Sequence, residues 1–350
     1  MTKKPFLFDL TFEELTGIIT GLREPSYRAK QVWEQAYRMF VSSFDEMSNI
    51  PVKLRAQLSE EVNFSHITPH TDLLSTDGHT RKILFDLPDS SQVETVLMGY
   101  SVRRTACIST QAGCALGCTF CATGQGGLQR NITSGEIVEQ VLFFAKELNK
   151  KEDRLTNLVF MGMGEPFANY NEVMKAIETL TDSRGFNFGA RRITVSTVGI
   201  VPMIHRFAET NNQVNLAVSL HAATDELRES MLPINKRYPI EVLMNACRDY
   251  VNTTNRRISF EWALIDGVND SADQARELVK LLKGMTCHVN FIPLNPTRGF
   301  KGSESLQKRI DTFRNILEGA GIPNTLRIRR GIDINAGCGQ LRQEVQKVQK

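Results

Sequence analysis

No stretch of this 350-residue chain approaches the roughly 18 uninterrupted apolar residues of a membrane-spanning helix. Its first residues, Met1-Thr2-Lys3-Lys4-Pro5, lack the apolar segment of a secretory signal. Both absences read as a soluble, cytoplasmic protein with no membrane partner. Charge of one sign is also scarce: 42 Lys and Arg stand against 39 Asp and Glu, a net of +3, so the sum alone does not announce a nucleic-acid binder. The chain has only six histidines, and the next one after its densest cysteine group is His205, which leaves little material for a paired Cys/His zinc site. Seven cysteines at this length are too few for a disulfide framework and point to a reducing compartment. What remains, 41% hydrophobic and 23% charged residues, is ordinary globular material, long enough to bury a large core as one large domain or two smaller ones.

Against that background Cys114, Cys118 and Cys121 stand out. A C-x3-C-x2-C triplet on a glycine-punctuated loop can place three thiolates around one face of a [4Fe-4S] cube, leaving one iron open to bind and reduce a small molecule. Structural zinc is the alternative. Cys247, in an apolar helical pattern, and Cys287, just before an apolar strand, read as buried small hydrophobes.

The chain is organised in two styles. Up to about residue 75 it shows helical periodicity over Leu10 to Ile19, over Tyr27 to Phe40 with Ala29, Val32, Trp33, Ala36 and Tyr37 on one face, and over Phe44 to Leu58. Eight Lys/Arg against ten Asp/Glu in that region rule out a polybasic arm. Lys82 to Leu87 and Val93 to Tyr100 then read as two strands joined at Pro88-Asp-Ser-Ser. From Thr105 onward, strand patterns at 105–109, 157–161, 193–197, 215–220, 258–264, 289–294 and 325–328 alternate with helices, the signature of βα units around parallel strands in a full or partial barrel. Thr133-x-x-Glu136 is a capping box opening one of those helices, and Leu306, Ile310, Phe313 and Leu317 recur at helical spacing.

Active sites of parallel βα barrels lie at the C-terminal ends of the strands, and polar residues gather there. Met161-Gly-Met-Gly164-Glu165 follows the second strand, its glycines permitting close backbone approach and its carboxylate able to accept from an ammonium; taken bare, it is also an ordinary strand-to-helix turn. Ser196 closes the third strand, Ser219-Leu220-His221 the fourth and Asn295 the sixth; each could equally serve local backbone groups. Paired basic residues at Arg103-Arg104, Arg191-Arg192, Arg256-Arg257, Arg298 with Lys301, and Arg327-Ile-Arg329-Arg330 lie at strand ends or loops, where they either neutralise phosphates or flank elements on a solvated surface. Cys338, between Gly337 and Gly339, is sterically open. By composition alone Cys107 is a core residue of a strand, and Glu94 a solvent-facing strand position.

Read together, Cys107-Ile-Ser-Thr-Gln-Ala-Gly, Cys114-Ala-Leu-Gly-Cys118-Thr-Phe-Cys121, Met161-Gly-Met-Gly-Glu165-Pro and Gly331-Ile-Asp-Ile-Asn-Ala-Gly-Cys338-Gly-Gln-Leu resemble, in order and across nearly the whole chain, the RlmN/Cfr family of radical S-adenosylmethionine (SAM) RNA adenine methyltransferases. The resemblance implies an α/β fold, an open (β/α)6 partial barrel over 104–330. It also implies a helical RNA-holding accessory domain over 1–75, a linking hairpin over 76–103, and a C-terminal loop and tail over 331–350. It implies a [4Fe-4S] cluster on Cys114, Cys118 and Cys121, and SAM contacts from Gly164, Glu165, Ser196, Ser219, Leu220, His221 and Asn295. It further implies two SAM molecules per turnover, one to methylate Cys338 and one to yield a radical that activates that methyl for addition to adenine. Glu94 is then the proton acceptor, and Cys107 the resolving thiol that forms a transient disulfide with Cys338. The implied substrates are 23S ribosomal RNA and a tRNA anticodon-loop adenosine, and the implied electron donor is a flavodoxin or ferredoxin.

The family contains C2 and C8 methylating types. Glu165-Pro166 resembles the C2 type, whereas Gly331-Ile-Asp-Ile resembles the C8 type more than the Gly-Asp-Asp-Ile of the other; C2 is the reading taken. Asn335 and Gly337 stand where the family more often has Asp and Ala. A non-catalytic RNA-binding protein or an iron-sulfur electron carrier would need neither Cys338 nor Cys107.

Overall fold

The computed structural model describes residues 4–210, 212–297 and 299–341; Arg298 and the end of the C-terminal tail, 342–350, lie outside them. The strands are β1 (Thr68–Leu74), β2 (Thr80–Asp86), β3 (Gln92–Gly99), β4 (Arg104–Cys107), β5 (Gln111–Gly113), β6 (Leu128–Asn131), β7 (Asn157–Phe160), β8 (Ile193–Thr197), β9 (Asn215–Ser219), β10 (Ile258–Leu264), β11 (Cys287–Pro293) and β12 (Asn324–Leu326). Ten of them form one sheet in the order β1-β2-β3-β4-β7-β8-β9-β10-β11-β12, and β5 pairs with β6 apart from it. From β4 to β12 every neighbouring pair is parallel, and β1 to β4 are antiparallel. With β1 and β12 as its two ends the sheet is an open barrel, as expected, and the hairpin β2–β3 is part of the same sheet.

The helices are α1 (Phe12–Gly21), α2 (Tyr27–Tyr37), α3 (Val52–Glu61), α4 (Ala122–Gln125), α5 (Ser134–Asn149), α6 (Tyr170–Thr181), α7 (Val201–Glu209), α8 (Asp225–Met231), α9 (Ile240–Thr254), α10 (Ala272–Leu282) and α11 (Gln307–Gly319). On α2 the five residues expected on one face are the five buried ones. The expected helix over Phe44 to Leu58 is broken: a single 3-10 turn covers Phe44–Glu46, and α3 starts only after Pro51. Proline disfavours a helical residue before it and offers no N–H, so it opens a helix and does not continue one. Strand β1 is absent from the sequence expectations because it is largely exposed and contains Pro69, tolerable only where one side of a strand is unpaired. Leu306 flanks α11 and is 64% exposed, so its helical spacing with Ile310 is coincidental. Cys247 and Cys287 are buried as expected. Helix α5 opens on the expected capping box, with Thr133 Oγ1 accepting from the Glu136 N–H at 3.2 Å and Glu136 Oε2 accepting from the Thr133 N–H at 2.8 Å.

The N-terminal helices are tied to the barrel through one ionic knot. His66, almost wholly buried, places Nε2 2.7 Å from Asp9 Oδ2 and Nδ1 2.5 Å from Glu139 Oε1 on α5, while Phe6 stacks on its ring. Asp9 Oδ1 accepts from the Gly135 N–H at 2.9 Å, in the first turn of α5, where a negative charge is favoured. A Cβ at Gly135 would lie 2.7 Å from both Asp9 Oδ1 and His66 Cε1, so this contact needs glycine. Burial alone would push the imidazole toward its neutral form; the hydrogen bonds and charges of Asp9 and Glu139 outweigh it and raise the pKa to about 9. A pKa raised on folding stabilises the fold fully below the unfolded value of 6.5 and loses that contribution as pH climbs through about 9. We expect urea-unfolding free energies to fall between pH 6.5 and 9.5 by on the order of 3 kcal/mol, a slope that His66→Gln should flatten; an unchanged slope in the variant would assign the pH dependence elsewhere.

Candidate functional site

The strand ends converge on a cavity with about 1050 Å³ of empty space, open solvent at its mouth included. Cys114, Cys118 and Cys121 line one wall. Their loop is held at its root by the β5–β6 ribbon. The Cys114 N–H donates to Gly127 O at 2.9 Å, and Gly113, at φ 81°, passes so close to Gly127 that an added Cβ would sit 2.0 Å from its carbonyl oxygen. Farther along, the Thr119 N–H donates to Met231 O at 3.0 Å and Phe120 sits edge-on to His221 at 5.0 Å. Burial pushes the Cys114 thiol up to about 11 and Cys118 higher still, with the other loop thiols adding to both shifts. Among the described residues no three His, Cys, Asp or Glu converge as ligands to a single metal ion; a cube spreads its irons and asks its ligands only to flank it.

The strand-end residues line the same cavity. The Glu165 carboxylate is buried, accepting from the Phe167 N–H at 3.0 Å and the Val198 N–H at 2.9 Å; desolvation nevertheless raises its pKa to about 7, as expected of a buried carboxylate with no cation beside it. Gly164, at φ 97°, lies so near Gln111 that a Cβ would meet its side chain at 2.5 Å. Ser196, Ser219, His221 and Asn295 also face the cavity. His221 adopts a left-handed backbone, φ 60°; its Nδ1 accepts from the Ala263 N–H at 2.9 Å, and burial drives its pKa down to about 3, so the ring is neutral and carries its proton on Nε2. Asn295 Nδ2 donates to Cys338 O at 3.0 Å while its Oδ1 is buried without a partner, an open acceptor in the cavity wall. Leu220 differs from its neighbours: its side chain is in the core and does not line the cavity.

Cys338 faces the same space as the triplet. Its segment is pinned by the Ala122 N–H to Gly339 O at 2.8 Å and by Thr123 Oγ1 to Leu341 O at 2.5 Å. The residue is exposed at this cavity, whose protein walls raise the thiol to about 11 by desolvation, with the Arg327 guanidinium opposing. Cys107 and Glu94 do not line that cavity. Side chains alternate along a strand, and the register sets Val96 opposite Cys107 and Glu94 opposite Leu84, so Cys107 and Glu94 share one face of the antiparallel extension. There Cys107 packs in a small cluster with Val96, Met163, Ile334 and Ala336, which brings it under the Cys338 loop. Desolvation and the Cys338 sulfur raise the Cys107 thiol to about 12. Glu94 is 6% exposed, contrary to the solvent-facing position that composition favours.

Two site residues escape a sequence reading. Glu261, in the cavity wall, pairs with Arg327 at 2.9 Å; a lone Glu inside the apolar run of a doubly covered strand was its signal. Arg228 left no signal. It lies fully buried on α8 and donates to Leu220 O at 3.2 Å, to Val198 O at 2.6 Å and to Asn235 Oδ1 at 2.9 Å, fastening the ends of β8 and β9 beneath the cavity. Several basic residues expected to meet phosphates have partners within the fold: Arg104 with Asp153 at 2.7 Å, Arg256 with Asn215 at 2.8 Å, Arg327 with Glu261, and Arg329 with Glu304.

Residues 108–282 match the family model described as the radical SAM superfamily, and residues 6–63 match that of the ribosomal RNA large subunit methyltransferase N-terminal domain. A dual-specificity RNA methyltransferase RlmN 1 of Myxococcus xanthus is 46% identical over 97% of this chain and 95% of its own. A probable dual-specificity RNA methyltransferase RlmN of Chloroflexus aurantiacus is 47% identical over 96% and 92%. A crystal structure of a radical SAM methyltransferase from Sphaerobacter thermophilus superposes with a TM-score of 0.95 at 50% identity, covering 97% of this chain and all of that one. The site's dependence on its buried arginine is testable: Arg228→Leu strands several carbonyls and should cost about 3–5 kcal/mol, lowering the thermal midpoint of the protein; a wild-type midpoint would show that the strand ends hold without it.

Proposed function

Because the chain belongs to the RlmN family of radical SAM RNA methyltransferases, we propose that it methylates C2 of an adenosine in 23S rRNA, and of a tRNA anticodon-loop adenosine, through a methylated Cys338. The enzyme is a SAM-dependent RNA methyltransferase with a [4Fe-4S] cluster; the site of methylation, the carrier thiol and the use of two SAM molecules per turnover are the proposal. The observation that carries it is the shared cavity of Cys338 and the Cys114, Cys118 and Cys121 wall, with Cys107 beneath the same C-terminal loop. A redox carrier has no use for that arrangement.

The assigned roles follow from what each side chain offers. Cys114, Cys118 and Cys121 would hold the cluster, which with SAM and an electron from a flavodoxin or ferredoxin would supply radical chemistry directed at the methyl on Cys338. Glu165 would receive the ammonium of SAM, a cation that would offset the desolvation of its buried carboxylate. Asn295 Oδ1 and His221 Nε2 offer an acceptor and a donor, and Ser196 and Ser219 two hydroxyls, for the rest of the molecule. Asn295 has a second task, since its amide also fixes Cys338. A carbon radical carried by the Cys338 thioether suits an electrophilic amidine carbon that resists a methyl cation. Once the adduct had returned its odd electron to the cluster, Glu94 would take the ring proton; Cys107 would then attack the Cys338 sulfur, forming the S–S bond as the S–C bond breaks, and a proton would complete the product methyl. The helical N-terminal part would help hold RNA, and 331–341 would be the carrier loop. Glu165-Pro166 supports C2; the C8 reading rests on Gly331-Ile-Asp-Ile.

Anaerobically reconstituted enzyme should convert an rRNA fragment to 2-methyladenosine, identified by nuclease digestion and chromatography. Cys338→Ala should abolish product, and Cys107→Ala should stall the reaction as an RNA–protein adduct that survives denaturing electrophoresis and disappears on ribonuclease treatment. Normal product from Cys338→Ala would overturn the carrier mechanism, and 8-methyladenosine would assign the other regiochemistry.

A further inference from the structure

On the face that Cys107 and Glu94 share, a third ionisable residue belongs to neither the cavity nor the roles above. Lys82 on β2 is 8% exposed, a rare fate for lysine unless it is paired. Its register partner is Val96, which makes Glu94 its diagonal neighbour, and its Nζ lies 2.7 Å from Glu94 Oε1. The same ammonium donates to Asn335 O at 3.3 Å. Asn335 stands three positions before Cys338, in a left-handed conformation, φ 51°, that asparagine tolerates better than most residues. Its turn is closed by the Asn335 N–H to Ile332 O at 3.0 Å and the Ala336 N–H to Gly331 O at 2.8 Å, and Asp333 anchors it to the β1–β2 turn through the Thr76 N–H and hydroxyl at 2.7 and 2.8 Å. One buried cation therefore joins the carboxylate of β3 to the loop that carries Cys338.

We propose that Lys82 is a positioning residue for methyl transfer: it keeps Glu94 ionised inside the protein and ties that carboxylate to the Cys338 loop, so that base and carrier are presented to the RNA together. The proposal rests on the assignment of Glu94 as proton acceptor. A carboxylate at 6% exposure would be protonated far above its ordinary range without a nearby cation, and a base must be both deprotonated and within reach of its proton. The other titratable groups on this face are Asp86 on β2, already engaged by the Gln92 amide at 2.6 Å and by His70 at 2.9 Å, and Cys107 on β4, on which Arg327 acts from beyond β12. Met163 Sδ, at 3.3 Å from the Glu94 N–H, brings no charge. Among the described residues Lys82 is the cation at bonding distance from Glu94.

The test follows two products across pH 6 to 9.5 in the reconstituted enzyme with an rRNA fragment: 5′-deoxyadenosine and methylated RNA. Lys82→Met should slow RNA methylation about tenfold at pH 7, shift its pH profile upward by about one unit or more, and accumulate the RNA–protein adduct, while 5′-deoxyadenosine formation in the first turnover stays at the wild-type rate. Lys82→Arg, which keeps the charge, should restore the profile. A Lys82→Met enzyme with an unshifted profile, or with both products lowered equally at every pH, would overturn the proposal and leave Lys82 a structural ion-pair partner. If Glu94→Gln methylates at the wild-type rate, the base assignment fails and the Lys82 proposal fails with it. If wild-type enzyme makes 5′-deoxyadenosine but no methylated RNA, the fault lies with the proposed substrate.

Discussion

The C-terminal segment lies across the C-terminal ends of the barrel strands, and the chemistry at the mouth depends on that placement. Side-chain amides and backbone bonds hold it there. Asn295 takes the Cys338 carbonyl, Gln340 reaches back to Pro296 O, and the cluster loop binds Gly339 and Leu341 through Ala122 and Thr123. On its other flank Asp333 and Asn335 grip the β1–β2 hairpin. A thiol on such a strap is exposed and still fixed in direction.

The antiparallel strands β1 to β3 have a functional sense in this light. A parallel barrel offers a ring of strand ends on one side, and those ends are occupied here by the cavity walls. Extending the sheet past β4 adds a second surface, edge-on to the first, where Glu94, Lys82 and Cys107 lie under the strap. The loop of Cys338 touches both this surface and the cavity. Ionic groups with several partners hold this architecture together. Arg228 secures β8 and β9 from within, and the Asp9–His66–Glu139 knot secures the N-terminal helices to α5. Each is buried and multiply bonded, the condition under which a buried charge is tolerated.

The α/β alternation was legible from residue 104 onward because strands buried on both faces are continuous apolar runs and their helices carry caps and periodic faces. The cluster triplet and Glu165 were legible because their residue types sit at telling spacings. Legibility failed where context overrode local pattern. Strand β1 is polar and exposed, so nothing but its partner β2 marks it; α3 was read through Pro51; Leu306 imitates a helical period that its exposure denies. Leu220 shares a strand end with Ser219 and His221, yet its side chain turns inward, a one-residue alternation that no motif records.

What the sequence determined by itself was the inventory: three thiols spaced for a cluster, two more spaced for nothing local, a carboxylate after a glycine pair, and a βα rhythm to carry them. These are local facts, set by covalent spacing and by the burial that each segment can satisfy. Only the tertiary structure decided that Cys338 shares a cavity with Cys114, Cys118 and Cys121 while Cys107 and Glu94 lie on a strand face beneath its loop, that Asn295 both lines that cavity and bonds Cys338, and that Lys82 stands between Glu94 and the loop. Those relations join residues up to 253 positions apart, brought together by sheet register and by a folded strap, and a distance across space has no signature along a chain.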